Sequence, residues 1–199
     1  MPEHGQTLPP TQPGHYGAAG IGARLAEATI AAAWNVQGNA EHLPLAYQVQ
    51  AQFGIVLPIA SNTTARSGAM TALWLGRSSW LLVAGEAGRL VGFDATREAL
   101  NAAGGALFDL SDARVGWTIS GPRAATVLAK SCPLDFHPRA FRSGTCAQSL
   151  FGHVNALFVR DGEVFTLLVA RSFAPDVGRA LSESAAQYGY EVGPPAPYR

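Results

Sequence analysis

Charged side chains are scarce in this chain. Asp, Glu, Lys and Arg make up 14% of its 199 residues, against roughly 25% in an average globular protein. The basic residues are 13 arginines and one lysine, Lys130, and the formal net charge is zero. A neutral chain has no electrostatic basis for binding nucleic acid or a membrane surface. We therefore expect neither as a partner.

Cysteine and long hydrophobic runs are scarce as well. Cys132 and Cys146 are the only cysteines, which excludes a disulfide framework. The first residues lack the basic start and apolar stretch of a signal peptide, and no apolar run reaches the length of a membrane span. The sequence therefore predicts a cytoplasmic location.

Hydrophobic residues, in contrast, make up 48% of the chain. A chain of this length buries ~70% of its unfolded surface, and low charge with high hydrophobicity is typical of an ordered globular protein. So few charges also indicate that partner chains cover part of the surface.

The order of predicted elements indicates an α+β fold of two joined halves. Residues 1–20 are rich in Pro, Gly and Gln and predict a flexible arm, and residues 193–199 contain three prolines and predict a tail. Between them, residues 21–192 predict one domain whose halves span approximately 21–110 and 111–192. Each half is expected to hold a mostly antiparallel sheet with helices on one side.

Helices are predicted at 39–53, ended by Gly54, at 94–103, after the Ser120-Gly121-Pro122 start, and at 172–188. A strand is expected near residues 29–34. Strands 72–75 and 80–84 predict a hairpin that is apolar on both faces, so both faces must be covered.

The block 116–154 is the most distinctive part of the sequence. Its start predicts a strand, a helix start and an amphipathic helix. Residues 132–139 are irregular and rich in proline. They contain no recognisable catalytic set, which points to a role in docking.

Two chemical alternatives remain for the cysteines. Cys132, His137, Cys146 and His153 have the right count for structural zinc, but they lack closely paired ligands. A Cys–His nucleophile pair would need an activated thiolate. We favour buried thiols and a hydrogen-bonded structural histidine.

Other candidate groups are also better explained by structure. Asp109 and Asp112 are potential bases or ligands of a polar cofactor, but their sequence is typical of a turn. Trp74, Trp80 and Trp117 are potential platforms for a flat ligand, and core or interface positions are favoured. Gly17–Gly22 does not match a dinucleotide motif.

Several motifs resemble the gamma subunit family of heterotetrameric sarcosine oxidase. The resemblance covers roughly residues 40–190 and departs in the turn 77–79 and near residues 35–38, which leaves the substrate open. The motifs are DLSDAR (109–114), SGPRA (120–124), CPLDFHPRAF (132–141), GTCAQS (144–149), the tryptophan hairpin WLG (74–76) with WLLV (80–83), and LVARSF (168–173).

The resemblance implies a non-catalytic subunit with the folate-binding fold of aminomethyltransferases. The complex would oxidatively demethylate sarcosine or another N-methyl or secondary amino acid. Its partners would be alpha, beta and delta subunits, chiefly alpha. FAD, FMN, NAD, zinc and tetrahydrofolate would be held by those subunits, and no cofactor by this chain. The alternatives are a stand-alone folate-binding or aminomethyl-transfer protein, a subunit of a sister N-methyl amino acid dehydrogenase complex, and a small zinc module.

We therefore predict no catalytic, cofactor-binding or metal-binding residue, and a subunit interface instead. If Phe136 or Trp80 anchors that interface, truncating it would weaken binding. The predicted interface residues are Trp74, Trp80, Pro133, Phe136, His137, Arg139, Phe141 and Arg142.

Overall fold

The computed structural model describes residues 12–85 and 92–198, which form two antiparallel-rich sheets and the helices that cover them. The strands in chain order are β1 (Gly14–Tyr16), β2 (Ala23–Thr29), β3 (Ala32–Gln37), β4 (Thr64–Ser67), β5 (Met70–Gly76), β6 (Ser79–Ala84), β7 (Ala106–Asp109), β8 (Arg114–Ser120), β9 (Thr145–Phe151), β10 (Val154–Asp161), β11 (Val164–Ala170), β12 (Tyr190–Val192) and β13 (Ala196–Pro197). The helices are α1 (Leu43–Phe53), α2 (Phe93–Ala102), α3 (Ala124–Ala129) and α4 (Ala174–Ala185).

The two sheets repeat one pattern of connections. The first sheet has the order β4-β5-β6-β3-β7, and the second has the order β1-β12-β2-β8-β11-β10-β9, with β13 also paired to β2. The run β3-α1-β4-β5-β6-α2-β7 matches the run β8-α3-β9-β10-β11-α4-β12. One difference separates them: β2 lies between β8 and β12, whereas β3 and β7 pair directly. The predicted α+β fold of two similar halves is confirmed.

Each sheet packs one apolar face against its own helices. Leu45, Val49 and Phe53 recur along α1 and are buried against the first sheet. On the second sheet, α4 buries Val177 and Leu181 in the same way. Helices on one side of each sheet were predicted from the alternation of elements, and this prediction is confirmed.

The other faces of the sheets pack against each other. Along β10, Leu157 and Val159 point to this inner core, while Ala156 and Phe158 point to the helices, as the two-residue period of a strand requires. Both faces of the β5–β6 hairpin are therefore covered within the chain, as predicted. The inner core contains Ala28, Ala33, Leu73, Leu81, Val83, Cys146, Leu157, Val159, Leu168 and Tyr198.

The N-terminal part of the chain differs from the sequence prediction. Residues 14–16 were assigned to a flexible arm, but they form β1 and pair with β12, and Tyr16 stacks on Tyr190 with ring centroids 5.6 Å apart. Residues 1–11 of the predicted arm lie outside the described residues. The single strand expected near 29–34 is two strands, β2 and β3. Because β2 joins the second sheet, the division at residue 110 does not separate the two sheets cleanly.

Helix ends were predicted better than helix starts. Gly54 ends α1 in the left-handed conformation (φ 65°), as expected. Asn39 does not cap α1 directly; its side chain accepts a bond from the Glu41 backbone N–H, and the helix begins at Leu43. Asp94 lies inside the first turn of α2, after Gly92 at the cap position.

The C-terminal tail is also part of the fold. Within residues 193–198, β13 pairs in parallel with β2, and Tyr198 is buried in the inner core. The chain passes close to Gly85, where an added Cβ would lie 2.1 Å from the Tyr198 carbonyl oxygen. Glycine is required at residue 85 because this close approach leaves no room for a side chain. Among the residues that the structure describes, no helix is long and apolar enough to cross a membrane.

Replacement of Tyr198 tests whether the tail stabilises the contact between the sheets. We expect Tyr198→Ala to lower the free energy of unfolding by about 3 kcal/mol, because it leaves a cavity in the inner core. Tyr198→Phe keeps the ring and should cost about 1 kcal/mol or less. Urea unfolding of the full chain measures both. Equal stability of Tyr198→Ala and the unsubstituted chain would show that the tail contributes nothing to the fold.

Candidate functional site

The irregular segment between α3 and β9 is held in place by an aromatic cluster. Phe136 packs edge-on against Phe141 at 5.8 Å and Phe165 at 5.6 Å, and tilted against Phe158 at 5.3 Å, all between ring centroids. All four rings belong to the core of the second sheet. The segment therefore folds back onto its own sheet.

Arg160 also holds this segment in place, through hydrogen bonds to backbone carbonyls. This buried guanidinium donates to the carbonyls of Phe141 and Gly162, each at 2.8 Å, and lies 5.1 Å from the centre of the Phe165 ring. The charge is balanced by Glu163 at 3.4 Å, whose carboxylate is exposed. A buried arginine is tolerated here because carbonyls, a ring face and a carboxylate surround it.

Polar groups of the segment form a compact turn on its outer side. The Asp135 carboxylate accepts a bond from the His137 backbone N–H at 2.9 Å, and His137 Nδ1 accepts one from the Arg139 N–H at 3.2 Å. Pro133, His137, Arg139 and Arg142 are exposed. These four residues therefore remain predicted contact residues.

Three of the predicted interface residues are core residues. Trp80 is 1% exposed, Phe136 2% and Phe141 6%, so these side chains have almost no area to offer a partner. The prediction that they act as interface anchors is wrong for this reason. Trp80 Nε1 donates to the Pro58 carbonyl at 2.7 Å, which satisfies its polar atom inside the chain. Trp74 is half-buried and keeps some surface for contact.

The tryptophan hairpin and the irregular segment meet at one cleft. This cleft has a volume of about 430 Å³ and is lined by residues of β5 and β6 from the first sheet and of β8 to β11 from the second. Leu75 comes from the hairpin and Pro133 from the irregular segment, while Leu150, 45% exposed, lies at the edge strand β9. Arg114, Gln148 and Asn155 are among the polar residues that line it. The structure thus brings the two predicted contact segments together, through Pro133, which is a predicted interface residue, and Leu75, the neighbour of Trp74.

The cysteines occupy structural positions. Cys132 is buried in the core of the second sheet, and Cys146 in the inner core. The Cys146 thiol donates to the carbonyls of Thr63 and Trp74, both at 3.4 Å. Burial raises the pKa of this thiol from 9.0 to about 11. A thiol that stays protonated is a poor nucleophile and a poor metal ligand.

The four Cys and His candidates are not brought together as a metal site. Across residues 12–85 and 92–198, no group of three or more His, Cys, Asp or Glu side chains has the geometry to hold a metal ion. His153 is exposed on the turn between β9 and β10.

The aspartate turn has the structure that its sequence predicts. The Asp109 carboxylate accepts bonds from the Ser111 backbone N–H at 2.9 Å and from the Ser111 hydroxyl at 2.5 Å. The Ser111 hydroxyl oxygen in turn accepts a bond from the Ala33 N–H at 3.1 Å. Asp109 therefore ties the turn to β3, and the turn interpretation is confirmed.

Sequence reasoning missed an exposed apolar surface around α1. Leu43 and Tyr47 lie one helical turn apart, and Val56 and Ile59 follow in the segment after the helix. We call these four side chains the outer α1 face. Residues 43–65 contain no Asp, Glu, Lys, Arg or His, and this gap in charge is the sequence signal that could have identified the surface.

The buried position of Phe136 gives a stability prediction. We expect Phe136→Ala to lower the free energy of unfolding by about 3–5 kcal/mol, as for other buried aromatic truncations. The exposed neighbour Arg139 provides a matched control, and Arg139→Ala should stay within about 0.5 kcal/mol of the unsubstituted chain. Chemical unfolding of the three proteins distinguishes the roles. A Phe136→Ala chain of undiminished stability would mean that the ring is not a core residue.

Cys146 gives a prediction about pH. The unfolded thiol ionises near 9.0, while the folded thiol keeps its proton up to about 11. The unfolded state therefore gains relative to the folded state as the pH rises through this interval, and stability should fall by about 2–3 kcal/mol. Burial raises the pKa of Tyr198 as well, which adds a fall in the same direction.

Urea unfolding between pH 7 and pH 11 measures this dependence. Cys146→Ala should reduce the fall, whereas Cys132→Ala, which removes the other buried thiol, retains Cys146 and should retain the fall. Identical pH profiles for Cys146→Ala and the unsubstituted chain would contradict the assignment.

Comparison with known proteins gives consistent results in sequence and in structure. The family model described as "Sarcosine oxidase, gamma subunit family" matches residues 37–187. The sarcosine oxidase subunit gamma of Arthrobacter sp is 36% identical over 150 residues, which cover 75% of this chain and 71% of that protein.

Two solved structures share the fold. A chain of the heterotetrameric sarcosine oxidase from Corynebacterium sp. U-96, solved with pyrrole 2-carboxylate, superposes with a TM-score of 0.75 at 28% identity and covers 87% of this chain and 88% of its own length. The aminomethyltransferase T of the glycine cleavage system from Bartonella henselae matches with a TM-score of 0.56 at 18% identity, over 88% of this chain and 48% of its own. The second likeness shows the predicted aminomethyltransferase-like fold. With the motifs, the fold and the relatives in agreement, this chain belongs to the sarcosine oxidase gamma subunit family.

Proposed function

We propose that this chain is the non-catalytic gamma subunit of a heterotetrameric flavoenzyme complex of the sarcosine oxidase type. The complex oxidatively demethylates sarcosine or another N-methyl or secondary amino acid. The partners are the alpha, beta and delta subunits, chiefly alpha. FAD, FMN, NAD, zinc and tetrahydrofolate are held by those subunits, in a cytoplasmic complex. The observation that carries the proposal is the family membership over residues 37–187.

The structural roles of two candidate catalytic groups, Cys146 and Asp109, support a non-catalytic role. The Cys146 thiol is buried and its pKa is raised, so it resists ionisation at neutral pH. Asp109 is engaged with Ser111 inside its turn. A general base or nucleophile must instead be accessible and within reach of a substrate.

Burial of the distinctive motifs supports a scaffold role. The segment 132–141 places Phe136 and Phe141 in the core and leaves Pro133, His137 and Arg139 on the surface. These exposed residues, Arg142 and the half-buried Trp74 remain our predicted contacts with the alpha subunit. Free thiols at Cys132 and Cys146 fit a reducing compartment.

Assembly with the partner subunits tests the proposal. We expect the full chain, co-expressed with the alpha, beta and delta subunits, to purify with them in equal amounts and to be needed for a stable complex that oxidises sarcosine or a related amine. The isolated chain should show no oxidation of sarcosine. Failure of the unsubstituted chain to enter the complex would overturn the proposal.

Substitutions in the assembled complex test the non-catalytic role. We expect Cys132→Ala, His137→Ala and His153→Ala to leave kcat within about twofold, because losing a general acid or base costs about 100-fold or more. A fall of that size with assembly preserved would make one of them catalytic.

Calorimetric titration of the isolated chain with tetrahydrofolate completes the test. We expect no saturable binding. Binding in the micromolar range would favour a folate-binding or aminomethyl-transfer protein.

A further inference from the structure

We propose that the outer α1 face, Leu43, Tyr47, Val56 and Ile59, is a docking surface for an uncharged, apolar surface on a larger subunit of the complex. This inference rests on the proposed function, and it adds the location and the chemistry of the contact. It concerns a part of the chain that lies outside every residue that the sequence predicted for the interface.

The exposure of these four side chains sets them apart. Leu43 is 80% exposed, Val56 72%, Tyr47 71% and Ile59 70%, whereas every other exposed large hydrophobic side chain among the described residues lies between 36% and 49%. Singly scattered apolar residues are normal on a protein surface. Here the four most exposed large hydrophobic side chains among the described residues all fall within 17 residues of sequence, on α1 and the segment that follows it, and such a concentration of exposed apolar side chains is typical of interaction sites.

The local structure points all four side chains away from the core. Within α1, Leu45, Val49 and Phe53 face the first sheet, so Leu43 and Tyr47 occupy the opposite side. After the helix, the exposed Val56 alternates with the buried Ile55 and Leu57.

The charge distribution defines the partner as a protein with a neutral surface. Residues 43–65 carry no ionisable Asp, Glu, Lys, Arg or His side chain. A nucleic-acid or anionic membrane surface would be matched by Lys and Arg, and interfacial membrane helices carry them on the polar face. The cores of protein–protein interfaces are depleted of charge and enriched in aromatic residues, and this face has no charged side chain and includes the aromatic Tyr47.

The shape of the face also requires a macromolecule. Small-molecule sites are concave, whereas this face is the outside of a helix about 16 Å long together with the segment that follows it. Ile59 also lines a cleft together with Glu41, Arg77 and Ser78, among other residues. Polar groups beside an apolar centre resemble the rim of a protein interface.

A different subunit is a better occupant than a second copy of this chain. The solved relative with 28% identity is a chain of a heterotetrameric sarcosine oxidase, so a member of this fold assembles with unlike chains there.

Binding to the co-expressed alpha, beta and delta subunits tests the inference. A complex of these subunits prepared without this chain is titrated with the full chain by biolayer interferometry. We expect Leu43→Gln/Tyr47→Gln to raise the Kd at least tenfold. A second variant outside the helix, Val56→Thr/Ile59→Thr, should act in the same direction, and it keeps the test valid if the helix variant folds poorly.

Matched controls separate the outcomes. Phe173→Gln/Val164→Thr replaces two apolar residues that are about 40% exposed elsewhere on the surface, and it should leave the Kd within twofold. If the unsubstituted chain does not bind, the proposed function fails. If it binds and both α1-face variants bind equally well, this inference alone fails. Light scattering of the isolated chain tests for a second copy as the occupant. If the chain is a dimer, and the α1-face variants abolish the dimer but still assemble with the other subunits, the inference is overturned.

Discussion

The structure depends on the packing of two sheets against each other through their inner faces. Each sheet has helices on one side only, so its other apolar face would be exposed without the partner sheet. Hydrogen bonds join the sheets at the same place: the Thr64 N–H donates to the Gly144 carbonyl at 3.0 Å, and the Cys146 N–H to the Asn62 carbonyl at 2.9 Å. The buried Cys146 thiol and the Tyr198 ring also belong to this inner core.

This packing explains why the most distinctive sequence motifs are structural. The segment 132–141 resembles an exposed loop in sequence, because prolines and charged residues interrupt it. In the fold, Phe136 and Phe141 anchor it to the second sheet, and Arg160 binds its backbone. Its conspicuous aromatic residues are used inside the subunit, and the side chains left for a partner are the polar ones and proline.

The low charge of the chain has two sources in the structure. One is the extent of internal apolar surface, since three cores rather than two must be filled. The other is the outer α1 face, where apolar side chains remain in solvent. The composition predicted that apolar surface must be covered but not where it lies: the tryptophan hairpin is covered by the chain itself, whereas the outer α1 face is exposed.

The sequence by itself determined the α+β class, the family, the hairpin at residues 72–84 and the helix end at Gly54. Local periodicity, glycine positions and contiguous motifs carry that information. Only the tertiary structure decided that β2, β12 and β13 join the second sheet, that Tyr198 is buried, and that Trp80 and Phe136 are core residues. Periodicity shows that a side chain is apolar and on which face it lies. Whether that face meets a sheet of the same chain or another protein depends on contacts between residues far apart in sequence, which no local pattern contains.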